Sequence, residues 1–204
     1  LKFEQGMQEN TKSSKMVRMK RLYGGIKVIY VIRHGQTDLN RERKMQGRKG
    51  LPLNEYGIEQ AKSLKEKLKN INFDLVFSSP QERAIQTAEI ATGLKTVVDD
   101  RLDVFDLGEA DRLHVSEVIM AGSLPDSTVY KGVEEPSIFV NRVFSFMKVL
   151  ESQYGKKELN ILISGHRCTT GCIGAYFEGI PTEENLLKFS SDTGDYKTFN
   201  FKKI

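Results

Sequence analysis

Apolar residues recur along this chain in two rhythms. Ile26–Ile32 (IKVIYVI), Phe73–Phe77 (FDLVF) and Leu159–Ile163 (LNILI) are short, dense runs, the pattern of strands buried on both faces. Between them the spacing turns helical. After Asn54, an N-cap residue type, Ile58, Ala61, Leu64 and Leu68 repeat at three and four up to Asn70. Ser79-Pro80-Gln81-Glu82 has the form of a helix start, with Ser79 as N-cap, Pro80 at the first position and Glu82 closing a capping box. That helix is predicted to reach about Thr92 and to stop at Gly93. Phe139, Val143, Phe146, Met147, Leu150 and Tyr154 form one stripe over Ser137–Tyr154, and a further helix is predicted through Ile173–Glu178. Thr96–Val98 and an edge segment Tyr196–Phe201 complete the strands, while Leu102–Pro125 lacks a period and reads mostly as loop.

Strands alternating with helices predict an α/β three-layer sandwich, a mostly parallel central sheet with helices on both faces. Ligands of such sheets sit beyond the carboxyl ends of the strands. Arg33-His34 follows the first strand, Arg83 lies in the first turn of the helix after the second, and His166 follows the Leu159 strand. Three distant segments thus deliver two arginines and two of the chain's three histidines to one edge. Each alone has an ordinary explanation: a surface charge, or a structural histidine. Together they form a candidate site. Guanidinium forks suit the oxygens of a phosphate dianion. A neutral imidazole can attack phosphorus while the arginines neutralise the equatorial oxygens. His166 would donate to the same oxygens, best as imidazolium. A metal site is not expected, because two permanent cations repel a divalent ion and no carboxylate cluster accompanies the histidines.

Composition narrows the classes. The 204 residues are 39% hydrophobic and 28% charged, which suits one domain with a real core. No apolar stretch approaches the roughly 18 residues of a membrane span. Residues 1–25 are polar and lysine-rich without a signal-peptide centre, and read as an upstream extension or expression remnant; 26–204 read as a single domain. The net charge of +4 comes from Lys and Arg scattered among acids, not from a basic stripe with aromatics, so neither nucleic acid nor membrane is an expected partner. A small anionic substrate is. Cys168 and Cys172, one helical turn apart, match neither a zinc spacing nor a disulfide framework, and no Arg follows either at the Cys-x5-Arg interval of cysteine phosphatases. They read as packing residues of a reducing compartment, the cytoplasm.

Arg33-His34-Gly35-Gln36-Thr37, followed by Asn40 and Gln46-Gly47, resembles the signature of the histidine phosphatase superfamily, the phosphoglycerate-mutase-like proteins. Ser78-Ser79-Pro80, Arg83 and Gln86-Thr87-Ala88 resemble its second motif, and the resemblance spans about Lys27 to Lys203. It implies a phosphoglycerate-mutase-like fold and cofactor-free phosphoryl transfer through a phosphohistidine on His34. It also implies a phosphate pocket of Arg33, Arg83 and His166 with Asn40 beside them, and Thr37, Gln46 and Gly47 along the substrate edge.

Two positions depart from the family pattern. The glutamate that usually protonates the leaving oxygen falls, on alignment through Asp100-Arg101-Leu102 and Gly108, at Val104. Asp103, Asp106, Glu109 and Asp111 are the nearby acids, and Asp103 would point to the opposite face of an extended segment. Losing a general acid costs on the order of 10²–10⁴ in rate for an alkoxide leaving group and far less for aryl or acyl phosphates. The expectation is therefore a phosphomonoester hydrolase restricted to activated substrates. The alternatives are a phosphate-ligand-binding or regulatory protein with degenerate catalysis, or a phosphoglycerate mutase, for which Arg112 is the only nearby second cation. The other departure is Gly165-His166-Arg167, where Arg167 could be a further phosphate ligand, narrow the pocket or face solvent.

Overall fold

A computed structural model describes residues 28–180 and 185–201. The expected extension over residues 1–25 lies outside them. In chain order the elements are β1 (Val28–Arg33), α1 (Asp38–Arg41), α2 (Glu55–Leu68), β2 (Leu75–Ser78), α3 (Glu82–Thr92), β3 (Val97–Val98), β4 (Met120–Ala121), β5 (Leu124–Pro125), α4 (Pro136–Tyr154), β6 (Asn160–Gly165), α5 (Arg167–Glu178) and β7 (Tyr196–Phe199), with short 3-10 turns between some of them.

The main sheet has the order β3-β2-β6-β1-β7, and β4 and β5 form a separate small hairpin. The first four strands are parallel neighbours; only β7 runs antiparallel, on the edge beside β1. Alternation along β1 explains why its run is apolar throughout. Ile29 and Val31 pack with Phe139, Val143, Phe146 and Met147 of α4 and Ile173 of α5. Tyr30 and Ile32 face the other way, against Leu64 and Leu68 of α2 and Ala88 and Ala91 of α3. Each face of a central strand removes apolar area from water, at roughly 25 cal/mol per Å². The three-layer α/β architecture is the one expected.

Helix ends follow the sequence with two exceptions. Asn54 caps α2, its side chain accepting from Gly57 N, and Gly93, left-handed at φ 73°, ends α3. The predicted capping box of Ser79 and Glu82 does not form. The helix opens two residues later with Gln81 as an N-cap whose side chain makes no capping bond. The reason is that Ser79 Oγ bonds across the sheet to His166. Likewise α5 begins at Arg167, six residues before the predicted start, with His166 as its N-cap. Among the described residues no helix is long and apolar enough to cross a membrane.

Candidate active site

The strands β2, β6 and β1 end in step: Arg33 stands opposite Gly165, and Ser78 opposite Ser164. The residue after each strand end is therefore delivered to one carboxyl edge: His34, His166 and Ser79. His34 N donates to Gly165 O and Ser79 N to Ser164 O, both at 3.0 Å. The two imidazoles are buried, 5.1 Å apart between ring centroids. Gly35 makes the turn out of β1, where a Cβ would stand 2.5 Å from Gly57 O. Its N–H donates to Thr87 Oγ1 at 3.0 Å, and Thr87 Oγ1 donates to Arg83 O at 2.7 Å, so the two sequence motifs are tied to each other directly.

Hydrogen bonding fixes the form of His34. Its Nδ1 lies 2.7 Å from the Gly35 carbonyl, which can only accept, so Nδ1 carries the proton and Nε2 keeps its lone pair. Burial first, then the nearby Arg83 and Arg33, hold the ring well below the usual histidine range, against the opposing Gly35 bond. It is neutral at neutral pH, as a nucleophile must be. His166 Nε2 is 2.8 Å from Ser79 Oγ, and that oxygen lies 3.4 Å from Asp103 Oδ1 and accepts from Gln81 N. All are satisfied when Nε2 donates to Ser79 and Ser79 donates to Asp103. Without a bound anion, burial, then Arg83, His34, Arg33 and Arg142, drive the His166 pKa well below the usual value. A bound dianion supplies the opposite field and would return a proton to Nδ1.

The arginines divide into wall and support. Arg33 lines a cavity of about 570 Å³ with His34, His166, Asn40, Gln46 and Arg167. Arg83 is 1% exposed and sits behind that wall, beneath the loop after Gln46. Its Nη2 donates to Gly47 O at 3.1 Å and its Nη1 to Gln81 Oε1 at 3.2 Å; a side chain at Gly50 would collide with it. Burial lowers both arginines to about 10, which leaves them charged at neutral pH. Among the described residues, the buried side-chain nitrogens and oxygens without a partner are Arg33 Nε, Arg83 Nε, Gln46 Nε2 and His166 Nδ1. All four belong to this one site.

Thr37 and Gly47, expected along the substrate edge, act one layer back. Thr37 is fully buried, and its hydroxyl lies 3.1 Å from Asn40 Oδ1 and 2.9 Å from Gln46 Oε1. It also caps α1 in a reciprocal box with Asn40. Gly47 N donates to Asp111 Oδ1 at 2.9 Å while its carbonyl holds Arg83. Asn40 and Gln46 reach the cavity, and exposed Arg167 stands on its wall.

Val104 also lines the cavity and is buried. None of the four candidate acids shares that wall. Asp103 accepts from Val104 N and Gln81 Nε2, and meets Arg48 at 3.3 Å. Asp106 accepts from Gly108 N and meets Arg48 at 3.2 Å. Glu109 accepts from Lys131 N, and Asp111 from Gly47 N and Lys49 N. The carboxylate that does line the cavity is exposed Asp192, on the far side beside Arg33. Arg112 donates twice to Lys49 O, and His114 bonds Ser116 away from the cavity.

Three supports escape the sequence reading. Arg142, inside the apolar stripe of α4, donates to the carbonyls of Arg101, Asp103 and Val104 and pairs with Glu134 at 2.7 Å. A lone arginine among Phe139, Val143 and Phe146 is the only hint the chain gives of it. Arg48 ties the loop after Gln46 to Asp103 and Asp106. Ser79 is visible as a motif residue, but its histidine partner is 87 positions away. Cys168 and Cys172 pack in α5 as expected, their thiols pushed up by burial, Cys172 to about 12.

Known proteins resemble this chain in sequence and fold. A probable phosphoglycerate mutase, GpmB, of Klebsiella pneumoniae is 27% identical over 165 residues, 75% of each chain. An uncharacterized phosphatase, PhoE, of Bacillus subtilis strain 168 is 29% identical over 140 residues, 67% of this chain and 71% of that one. The crystal structure of the alpha-ribazole phosphatase from Shigella flexneri superposes with a TM-score of 0.72 at 27% identity, covering 84% of this chain and 89% of that one. The description of the histidine phosphatase superfamily (branch 1) matches residues 29–203, and the chain belongs to that superfamily.

Proposed function

We propose that this protein is a metal-free phosphomonoester hydrolase that works through a phosphohistidine on His34. The observation that carries the reading is the gathering of four unpartnered buried nitrogens, from Arg33, Arg83, Gln46 and His166, around a neutral imidazole. Buried polar groups are otherwise satisfied in folded proteins; a phosphate dianion supplies acceptors for the arginine and amide donors and the field that protonates His166 Nδ1. The dianion seats against Arg33 and His166, with Arg83 reaching it from behind the wall. His34 Nε2 attacks phosphorus in line; the N–P bond forms as the ester P–O bond breaks, and the leaving group departs with the electron pair. Water then attacks the phosphoryl group, the N–P bond breaks, and inorganic phosphate leaves while the water proton passes to solvent or product. The names of the phosphatase relatives support the reaction class, and a small phosphorylated compound is the partner it implies.

With Val104 where an acid would stand, and the four neighbouring carboxylates held elsewhere, the leaving group departs without a proton from that position. Turnover is therefore restricted to aryl and acyl phosphates. The same observation favours the second reading, a phosphate-ligand-binding protein with degenerate catalysis. A mutase reading is weaker, because Arg112 is engaged by Lys49 O.

The test is hydrolysis of 4-nitrophenyl phosphate and glycerol phosphate in EDTA by the native protein, His34→Ala and Val104→Glu. Native turnover of the aryl ester, lost in His34→Ala, is expected. Val104→Glu is expected to raise the glycerol phosphate rate by on the order of 10². Equal native rates on the two esters would end the restriction to activated substrates. Activity that survives His34→Ala would end the mechanism, and absence of native turnover would leave the binding protein.

A further inference from the structure

Facing the histidines, one wall of the cavity is largely apolar, with Met45, Val104, Phe105, Leu107, Met120 and Leu124, and carries Arg43 and Lys44 next to Met45. Beyond it lies a second cavity of about 770 Å³, and the two share Ser123, Leu124, Cys168 and Leu187 as common wall. Among the described residues no charged side chain lines the second cavity; its polar groups there are uncharged serine and asparagine. Its apolar surface comes from the start of α4, with Pro136, Phe139 and Val140, and from the β4–β5 hairpin. Large apolar side chains stand well exposed on both walls, Met120 at 42% on the first and Ile180 at 58% on the second. Among the described residues, charge thus lines the first of two adjoining cavities and not the second.

We propose that the second cavity is a subsite for the apolar body of an amphipathic phosphomonoester, an alkylaryl or long-chain alkyl phosphate whose phosphate is held at His34. The inference rests on the phosphate-binding part of the proposed function but not on turnover. Adjacency to the histidine site through the shared Ser123, Leu124, Cys168 and Leu187 sets the occupant: the remainder of a molecule whose head is a phosphate. A hydroxyl-rich sugar would leave polar groups against apolar wall without partners. An alkyl or aryl chain gains from each methylene it buries there.

Alkylphosphonates separate this from hydrolysis, because they bind and are not turned over. Binding of methyl-, butyl- and octylphosphonate to the full chain is to be measured by titration calorimetry, for the native protein, Val140→Met, Val140→Glu and Ser123→Glu. The dissociation constant is expected to fall at least about tenfold from methyl to octyl, well short of the limit for full burial of the chain. Inorganic phosphate is expected to displace the octyl compound. Val140→Met keeps the octyl-to-methyl ratio, and a carboxylate at Val140 or, independently, on the common wall at Ser123 collapses it. A ratio near one in the native protein overturns the subsite. So does octyl binding that phosphate does not displace, or a ratio that survives both carboxylates. Chain-length-dependent binding without aryl phosphate turnover would leave the subsite standing and remove the hydrolase. Turnover with a flat ratio would do the reverse, and no binding of any phosphonate would remove both.

Discussion

The two halves of the site are built on different physics. The half at the strand ends is fixed by sheet register: His34, His166 and Ser79 follow paired residues of three adjacent strands, and all three are buried. The half facing it, from Val104 to Pro125, has no long element. It is one short 3-10 turn and a two-by-two hairpin, with Val115 and Met120 more than a third exposed. A shift at the strand ends breaks ladder bonds throughout the core; a shift in the facing loop breaks bonds to other loops and side chains and leaves the ladder intact. The first half can therefore hold reacting groups to the sub-ångström tolerance catalysis needs, while the second is free to vary with the substrate.

Substitutions on the two sides should separate these roles. Arg83→Lys loses the fork that spans Gly47 O and Gln81, and is expected to lower kcat/KM for 4-nitrophenyl phosphate by about 10²–10³. Met120→Ala on the loop is expected to act on KM, by less than about tenfold. Equal losses in steady-state kinetics would erase the contrast. In stability, Gly35→Ala forces a Cβ against the Gly57 carbonyl and is expected to cost about 1–3 kcal/mol in urea unfolding, with loss of activity. Gly122→Ala, in the hairpin, meets nothing within 4 Å and carries only its left-handed φ of 64°, worth about 1 kcal/mol. Should the hairpin glycine prove the costlier, the rigid-floor argument is wrong.

Acid offers a finer probe. Both buried imidazoles are neutral in the fold, yet in the unfolded chain they take protons below about pH 6.5. The unfolded state then binds more protons than the native one, so stability falls as pH drops below that value, by up to about 1.4 kcal/mol per pH unit for each ring. His34→Gln and His166→Gln should each flatten the slope of unfolding free energy between pH 6.5 and 5. A slope unchanged by either would mean the rings are charged in the fold. Phosphate binding at pH 7 should also take up protons, which calorimetry in buffers of different ionisation heat would read.

Periodicity carried most of the architecture, because strands buried on both faces and helices with one apolar face leave marks in local sequence. It could not say which motif residues touch a ligand. Thr37 and Gly47 lie in the same short block as Arg33, Asn40 and Gln46, and Arg83 in the second motif, but the layer each occupies depends on chain crossings. Gly47 owes its place to Asp111, 64 positions on. Ser79 reads as a helix cap from its neighbours, but the helix opens without it, and its role across the sheet is set by a strand that arrives much later. The Val104 segment has no periodicity of its own. It is held by Arg142, whose three carbonyl contacts reach back 38 to 41 positions. Spacing within a motif records the helix or turn it forms, whereas long-range contacts leave no such trace.

The hydrogen bond from His34 Nδ1 to the Gly35 carbonyl does more than choose a tautomer. A carbonyl oxygen accepts a hydrogen bond but will not take the proton away. On the proposed mechanism, a ring that attacks through Nε2 while Nδ1 stays protonated becomes an N-phosphorylated imidazolium, a far better leaving group than the neutral N-phosphorylated ring. The covalent adduct is thereby kept energetic and short-lived. Such an enzyme would hand its phosphoryl group to the first water admitted and would hold no standing reserve of it, which makes it a conduit for phosphate and a poor store.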